Sequence, residues 1–403
     1  MSRDRVPGTI CDRPLAVRCA SLRLGPAADW DAAIVIPAKD EERRLPASLN
    51  AVGAAIRAAK DVKVGIVVVV NNTRDSTALR AFEWAADQSD VPFVLIDCAF
   101  SRAGGGVGAA RRLGLDLACR YLTAQGALLT TDADTAVRAD WVVRNLAELQ
   151  RADLICGTVL GLPDEACALP AAIASHGSAE WEYLQASLAL VARLDPQSHD
   201  PAPAHHNAAG ASMAVSRRVY RAVGGLPVLR TGEDRALAER IAAHDFRVRY
   251  SADTIVETSC RMTGRAEGGM AAALRARACD SDPHVDEWLE APETLALRHG
   301  LRGRLRAVWP DQPALHAALI ADLGRSRADR IMERSPGPHF GAFFATVEQF
   351  APRLARHRLR FSDCRRDLPQ LMALLARTET ATQGDLPAAP STHRKAARDE
   401  PAY

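Results

Sequence analysis

The sequence predicts an α/β fold: an open, mostly parallel β-sheet flanked by helices, followed by a C-terminal helical region. Three observations predict it. Short apolar runs rich in β-branched residues, typical of strands buried on both faces, punctuate the first 150 residues. Longer helical patterns separate these runs and act as the crossover connections that parallel neighbours require. From about residue 267 onward the pattern is helical, and the 403-residue chain is too long for one small core.

The apolar and helical patterns predict each element in chain order. Strands are predicted at 32–37, 64–71, 91–97 and 126–132, with helices at 45–60, 76–88 and 108–123 between them. Further strands are predicted at 153–159, 210–216 and 247–258, with a long helix at 178–193 and a surface helix at 353–361. We therefore expect a flexible lead-in at 1–30, a ligand-binding half at 31–150, a second half at 151–280, a helical region at 281–377 and a disordered tail at 378–403.

Composition excludes several classes of function. With 48% hydrophobic residues, 25% charged residues and a net charge of +2, the chain is not a polyelectrolyte binder of nucleic acid. The longest apolar run, at 64–70, is far below the ~18–20 residues of a membrane helix, and the N-terminus shows no secretory signal. Nine scattered cysteines without a C-x-x-C pair predict reduced thiols. We expect a cytoplasmic protein, and leave peripheral membrane contact and homo-oligomers open.

Polar loops follow the first four predicted strands, at what becomes one edge of the sheet. They read PAKDEE, NNTRDST, SRAGGGVGAARR and DADT. Open α/β sheets bind their ligands at this edge. In the last loop, Asp132 and Asp134 are like charges that are costly to place together unless a cation or hydrogen-bond donors hold them. The pair suits Mn²⁺ or Mg²⁺, which one or two carboxylates hold together with phosphate oxygens. A cap on the helix beginning near Ala139 explains the same residues equally well.

Two other segments have both a functional and a structural explanation. The glycine-rich loop at 103–115 opens a helix and suits an anionic ligand, and residues 104–109 fit a loose G-x-G-x-x-A pattern. An NAD-dependent Rossmann oxidoreductase is therefore one alternative, although a polar spacer separates the glycines from their strand. Glu233 and Asp234 begin an amphipathic helix, where acidic residues are favoured anyway. The small-residue segment, strand and turn at 206–227 could carry this helix back to the sheet edge.

Together these motifs resemble the family 2 glycosyltransferases of the GT-A fold, in the nucleotide-diphospho-sugar transferase superfamily. VIPAKDEE, VVVNNTRDST, GGVGAARRLGLDLA, DAD and TGEDRALAERI match the family's motifs in order, over about residues 32–265. The sequence departs from the pattern at Asn71 and Asn72, where the family has paired aspartates, and lacks the Q-x-x-R-W segment of the processive synthases. The resemblance implies a hexosyltransferase-type enzyme that moves a sugar from a nucleotide-diphosphate sugar to a hydroxyl acceptor. A non-catalytic sugar-nucleotide-binding protein is the other alternative.

The resemblance also implies a role for each matching residue. Asp132 and Asp134, as the D-x-D motif, would hold Mn²⁺ or Mg²⁺, and Asp132 would also contact the donor. Asp234 would be the base of an inverting reaction, beside Glu233 as a second catalytic residue. Residues 31–150 would form the nucleotide-sugar-binding half and 151–280 the acceptor-side half. The other donor contacts would be Pro37, Lys39, Glu41, Asn71, Asn72, Asp75, Gly108, Arg111, Arg261 and Arg265.

Overall fold

The computed structural model describes residues 18–25, 29–88, 90–101, 106–229, 231–264, 269–335 and 337–384. Its strands are β1 (Arg18–Leu24), β2 (Trp30–Ala38), β3 (Val64–Asn71), β4 (Phe93–Ala99), β5 (Leu122–Thr130), β6 (Thr135–Val137), β7 (Leu154–Gly161), β8 (Met213–Ser216) and β9 (Val248–Thr258). Its helices are α1 (Leu45–Ala58), α2 (Thr77–Asp87), α3 (Val107–Ala118), α4 (Trp141–Glu148), α5 (Pro163–Cys167), α6 (Ala171–Leu194), α7 (Arg217–Ala222), α8 (Glu233–Ala243), α9 (Met270–Cys279), α10 (Pro292–Val308), α11 (Gln312–Leu323), α12 (Arg325–Arg334), α13 (Phe340–Phe350) and α14 (Phe361–Gly384).

The strands form one sheet in the order β1-β4-β3-β2-β5-β8-β7-β9-β6. Strand β2 pairs in parallel with β3 and β5, and β3 pairs in parallel with β4. Strands β7 and β9 are also parallel, whereas β1, β6 and β8 join the sheet antiparallel to their neighbours. The expected α/β class, with helices flanking a large sheet and a C-terminal helical region, is confirmed.

Both faces of the sheet are covered by helices because the central strands are apolar on both sides. Strand β3 is buried along its whole length. Helices α1, α2 and α4 pack on one face, and α3, α7 and α8 pack on the other. Helix α3 crosses the sheet at Gly114, where an added Cβ would lie 2.4 Å from Val35 Cγ1. This close approach fixes the position of α3, and with it the side chains in its first turns.

The C-terminal helices form two further cores. Side chains of α10, α11, α12 and α13 pack together in one of them. In the other, α6 packs against α10 and α14, with Tyr183 fully buried and donating from its hydroxyl to the Glu290 carbonyl oxygen, 2.7 Å away. None of the described helices is both long and apolar enough to cross a lipid bilayer. None of the cysteines whose side chains are described forms a disulfide bond.

The structure differs from the sequence-based predictions in four places. Strand β1 lies inside the segment 1–30 that was expected to be a flexible lead-in, and it pairs with β4 over its whole length. The three-residue strand β6 has too short a pattern to be predicted. Residues 353–361 do not form a helix: a 3₁₀ turn covers Pro352–Leu354, and Arg360 forms an isolated bridge with His284. Helix α14 continues to Gly384, past the expected start of the tail at 378, and residues 385–403 lie outside the described part of the chain.

Candidate active site

The loops after β2 and β3 are tied together by a network of short polar side chains. Thr73 Oγ1 accepts a hydrogen bond from the Asp40 amide (2.8 Å), and Asp75 accepts from the amides of Glu42 (3.1 Å) and Thr77 (3.0 Å). Burial raises the pKa of Asp75, but hydrogen bonds from Thr77 and Glu42 outweigh it, so the pKa lies below its usual value. The carboxylate of Asp75 thus braces the two loops, and its predicted contact with a donor stays a prediction.

The end of β3 holds the two asparagines. Asn71, the last residue of the strand, is only 4% exposed. Asn72 adopts a left-handed backbone with φ of 49°, a conformation in which asparagine is enriched. Its amide donates to the Phe100 carbonyl oxygen (2.9 Å) and accepts from the Phe100 amide (3.1 Å). Asn72 therefore joins the ends of β3 and β4, and the predicted contacts of Asn71 and Asn72 with a donor stay predictions.

Strand β2 leads into the site through Pro37, Lys39 and Glu41. Pro37 lies where the pairing of β2 with β5 has just ended at Val35, so its missing amide hydrogen leaves no bond unmade. Lys39 is exposed in the following turn. Glu41 is 6% exposed, and its amide donates to Thr77 Oγ1 at 2.8 Å. The turn thus directs one carboxylate inward.

Arg111 is the buried centre of the site. It lies on α3, is 3% exposed, and contacts Asp132 Oδ1 at 2.5 Å and the carboxylate of Glu233. Burial lowers the pKa of Arg111, but the charges of Asp132, Glu233 and Asp234 raise it overall, so the guanidinium stays protonated. Gly210 makes room for it, because an added Cβ would lie 2.3 Å from Arg111 Cζ. One cation therefore joins α3, the turn after β5 and the start of α8.

Arg261 contacts two further carboxylates of the site, those of Asp134 and Glu41. It follows β9, and its guanidinium lies 2.9 Å from Asp134 Oδ2 and 3.0 Å from Glu41 Oε2. The pKa of Asp134 is raised to about 6, by burial first and then by the charges of Asp132 and Glu41, although Arg261 acts against them. The negative charge around Asp134 is therefore only partly compensated.

Asp234 is the more accessible carboxylate at the start of α8. Its Oδ2 accepts a hydrogen bond from the Gly210 amide at 2.9 Å, and its Oδ1 accepts from the Arg235 amide at 2.8 Å. Glu233 is 2% exposed and is bound by Arg111. Burial and the charge of Asp234 raise the pKa of Glu233 despite that ion pair. The two acidic residues thus differ: Glu233 is enclosed, and Asp234 is half-buried.

The site has an excess of negative charge. We define the carboxylate cluster as the five acidic residues of this site together with their two arginines: Glu41, Asp132, Asp134, Glu233, Asp234, Arg111 and Arg261. Among the described residues no three acidic, histidine or cysteine side chains stand close enough to hold a metal by themselves. Mg²⁺ and Mn²⁺ sites at phosphates need only one or two carboxylates. Asp132 Oδ2 accepts no hydrogen bond from the described residues, so this oxygen is available to a metal ion. The pair Asp132 and Asp134 therefore fits such a site.

The structure places the remaining predicted residues as follows. Gly108 is buried in the first turn of α3, where an added Cβ would lie 2.7 Å from the Leu229 carbonyl oxygen. Arg265 lies outside the described residues, and so do the glycines at 104 and 105.

Glu165 is a residue that the sequence did not single out. This residue of α5 accepts hydrogen bonds from Arg44 (2.7 Å), the Ser259 hydroxyl (2.8 Å) and the Cys260 amide (2.8 Å). Burial raises the pKa of Glu165, but these bonds lower it overall. Glu165 thereby holds the segment that presents Arg261. Its segment, LPDEA, carries no signal that could have revealed this role.

The comparisons with known proteins gave matches among solved structures alone: no family model matches the sequence, and no curated protein does. The chain is similar in structure to the mannosyltransferase PcManGT from Pyrobaculum calidifontis in complex with GDP-Man and Mn²⁺, with 16% identity, 90% of each chain covered and a TM-score of 0.42. It is similar to S. aureus TarS 1–349 in complex with UDP-GlcNAc, with 13% identity, coverage of 88% and 92%, and a TM-score of 0.41. A third is the M. tuberculosis glucosyl-3-phosphoglycerate synthase with Mn²⁺, UDP and phosphoglyceric acid, with 17% identity, coverage of 64% and 83%, and a TM-score of 0.37. At these values the likeness is distant and says nothing about the activity of this chain.

Proposed function

We propose that this chain is a glycosyltransferase that moves a sugar from a nucleotide-diphosphate sugar to a hydroxyl acceptor. The observation that carries the proposal is the position of Arg111 between Asp132 and the first turn of α8. In this arrangement Asp132 and Asp134, a pair of aspartates suited to a divalent cation, lie at one edge of the sheet. Asp234, a separate and more exposed carboxylate, lies at the same edge. The order of the sequence motifs supports the same proposal, and it also supports the proposal that the fold is of the GT-A type.

The donor would bind at the carboxyl ends of β2, β3 and β5. Mn²⁺ or Mg²⁺ held by Asp132 and Asp134 would supply electrostatic stabilisation of the leaving nucleoside diphosphate. Arg261 contacts Asp134, so it lies where it could also contact the oxygens of a diphosphate bound there. Asn71 would face the nucleoside, and because asparagine both donates and accepts hydrogen bonds, we expect a guanine-type or uracil-type edge.

The acceptor would be activated by Asp234. Backbone amides bind both of its carboxylate oxygens and fix its orientation. It would take the proton of the acceptor hydroxyl as that oxygen attacks the anomeric carbon, which gives an inverting reaction. Glu233, enclosed by Arg111, is better suited to position this arginine than to move a proton.

A thermal-shift screen tests the proposal, because a ligand that binds only the folded protein raises its melting temperature. Nucleotide sugars with guanine, uracil and adenine bases, and separately NAD, would each be added with Mn²⁺ and with EDTA. We expect a guanine or uracil donor to stabilise the protein, more strongly with Mn²⁺, and Asp134→Ala to abolish the Mn²⁺ effect. Stabilisation by NAD alone would instead favour the oxidoreductase alternative. Donor binding without any turnover would favour the non-catalytic alternative.

A further inference from the structure

A cavity of about 1120 Å³ lies between α8 and the C-terminal helices, apart from the candidate active site. We call it the helical cavity. Its walls come from α6, α8, the start of β9, α10 and α13, and from the chain around Arg356. None of the residues of the carboxylate cluster lines it. Its volume is slightly above the range for small-molecule sites, about 300–1,000 Å³.

Two buried polar groups at this cavity lack hydrogen-bond partners among the described residues. His299 on α10 is 4% exposed, and neither of its ring nitrogens is bonded. One turn later, the buried Nε of Arg302 lies 3.3 Å from Asp195 Oδ2 but without hydrogen-bond geometry. Buried polar side chains are nearly always bonded, so two adjacent exceptions on one wall point to a missing partner.

Positive charge is in excess around these groups. Eight arginines line the helical cavity against six carboxylates, and Glu290, outside the lining, pairs with two of them, Arg298 and Arg356. Arg302 and Arg306 share the single carboxylate of Asp195. The pKa of His299 lies well below its usual value, because of burial first and then the charges of Arg302, Arg298 and Arg356. Burial also lowers the pKa of Arg302, and Arg306 adds to this effect, although Asp195 opposes it. The surrounding guanidiniums repel a metal ion, and the N–H group of the neutral imidazole can donate a hydrogen bond to an anion.

The rest of the lining can hold an organic body. His206 stacks on Trp288, with 4.2 Å between ring centroids, and lies 4.7 Å from the ring of Tyr250. Arg306 covers the ring of Phe340 at 4.3 Å. Aromatic faces like these bury apolar or ring-shaped groups. Arg302 and Arg356, each with one carboxylate contact, can donate further charge-assisted hydrogen bonds.

We propose that the helical cavity is a second ligand site, which binds a small organic molecule carrying a phosphate or carboxylate group. Arg302, His299 and Arg356 contact the oxyanion, and the aromatic wall formed by Trp288, Tyr250 and Phe340 contacts the remainder. The site does not depend on the activity proposed above, because it shares no residue with the carboxylate cluster.

Isothermal titration of the full chain with inorganic phosphate and, separately, with citrate tests the site at an ionic strength held constant by NaCl. We expect saturable binding of at least one anion, and the anion that binds identifies the group. Loss of a charge-assisted hydrogen bond should weaken binding about tenfold in Arg302→Met and in Arg356→Met. Arg356 is 43% exposed, so its variant is expected to fold even if Arg302→Met does not.

Two control variants locate the binding. Arg304→Met removes a guanidinium from the same helix, but one that is 54% exposed, pairs with Asp322 and lies outside the cavity lining, so it should bind normally. Arg261→Met changes the carboxylate cluster and should also leave this binding intact. Absence of binding by both anions would overturn the proposal. So would a loss of binding in Arg261→Met or Arg304→Met that matches the loss in Arg356→Met.

Discussion

The guanidinium of Arg261 lies 2.9 Å from Asp134 Oδ2 and links the segment after β9 to the turn after β5. The same guanidinium contacts Glu41, so one side chain supplies the counter-charge for two carboxylates, the buried Glu41 and the half-buried Asp134. A divalent cation bound to Asp134 would supply that counter-charge as well. Arg261 and a metal are therefore expected to stabilise the same carboxylate.

Replacing Arg261 with methionine tests this relationship. Without a metal, Arg261→Met removes the guanidinium that contacts Glu41 and Asp134, and we expect a loss of about 1–3 kcal/mol in the free energy of unfolding. Mn²⁺ should restore more stability to the variant than it adds to the wild type. Chemical denaturation with EDTA and with Mn²⁺ measures both effects. Arg138→Met, which removes an exposed guanidinium 4.0 Å from Glu257, is the control and should show neither. An equal Mn²⁺ effect in variant and wild type would contradict the account.

The pKa of Asp134 makes stability depend on pH. In the unfolded chain an aspartate titrates near 3.8, whereas the folded protein holds the proton of Asp134 up to about pH 6. Since the folded state binds more protons between these values, the contribution of Asp134 to stability is greatest below pH 4 and is lost as the pH rises through about 6. Asp200, whose pKa burial also raises to about 6, titrates in the same range.

Melting temperatures between pH 4 and 7 in EDTA measure this dependence. Asp134→Asn should remove part of the decline, and the double variant with Asp200→Asn should remove more of it. A wild-type curve that rises through this range, with the same rise in Asp134→Asn and in the double variant, would refute the shifted pKa values.

Much of the fold could be predicted because the central strands are apolar without interruption. VGIVVVVN can only be a buried strand, and the order of polar loops then places Asp132 at the sheet edge. Strand β1, at the edge of the sheet, carries polar residues in RCASLRL and lacks such a pattern. Short edge strands depend on their partner for their structure, and sequence patterns do not reveal that partner.

The contacts within the site could not be predicted in the same way. Motif resemblance identified Arg111 and Glu233 separately, but their ion pair joins residues 122 positions apart. The packing of α3 and α8 on one face of the sheet creates that contact. The helical cavity similarly arises from how α13 packs against α8 and α10 packs against α6, and no local motif indicates it.

Gly210 should be essential for the position of Arg111. In Gly210→Ala, the new Cβ would lie 2.3 Å from Arg111 Cζ, and the buried guanidinium would have to move away from Asp132 and Glu233. We expect a loss of about 1–3 kcal/mol in the free energy of unfolding, as for other overpacked sites. Gly177→Ala, where no atom lies within 4 Å of the added Cβ, is the matched control and should be neutral or stabilising. Equal stability of the two variants would mean that Arg111 is not held as described.

Asp234 should matter for turnover and little for binding. In Asp234→Asn the side chain keeps its shape and can still accept from the Gly210 amide, but it cannot take a proton at neutral pH. We expect kcat to fall about 10²–10⁴-fold with donor affinity unchanged. A purely structural role in the first turn of α8 would instead cost about 0.5–2 kcal/mol of stability and leave turnover of the folded protein normal. Steady-state kinetics and melting temperature on the same variant separate the two.

The central claim is that the carboxylate cluster transfers a sugar from a nucleotide-diphosphate donor. The most direct measurement is the release of nucleoside diphosphate from the nucleotide sugar that stabilises the protein best, followed by chromatography with Mn²⁺ and with EDTA. The account predicts release with Mn²⁺ that EDTA abolishes and that is lost in Asp134→Ala, while Arg304→Met releases at the wild-type rate. Release that is equally fast in EDTA and in Asp134→Ala would contradict it.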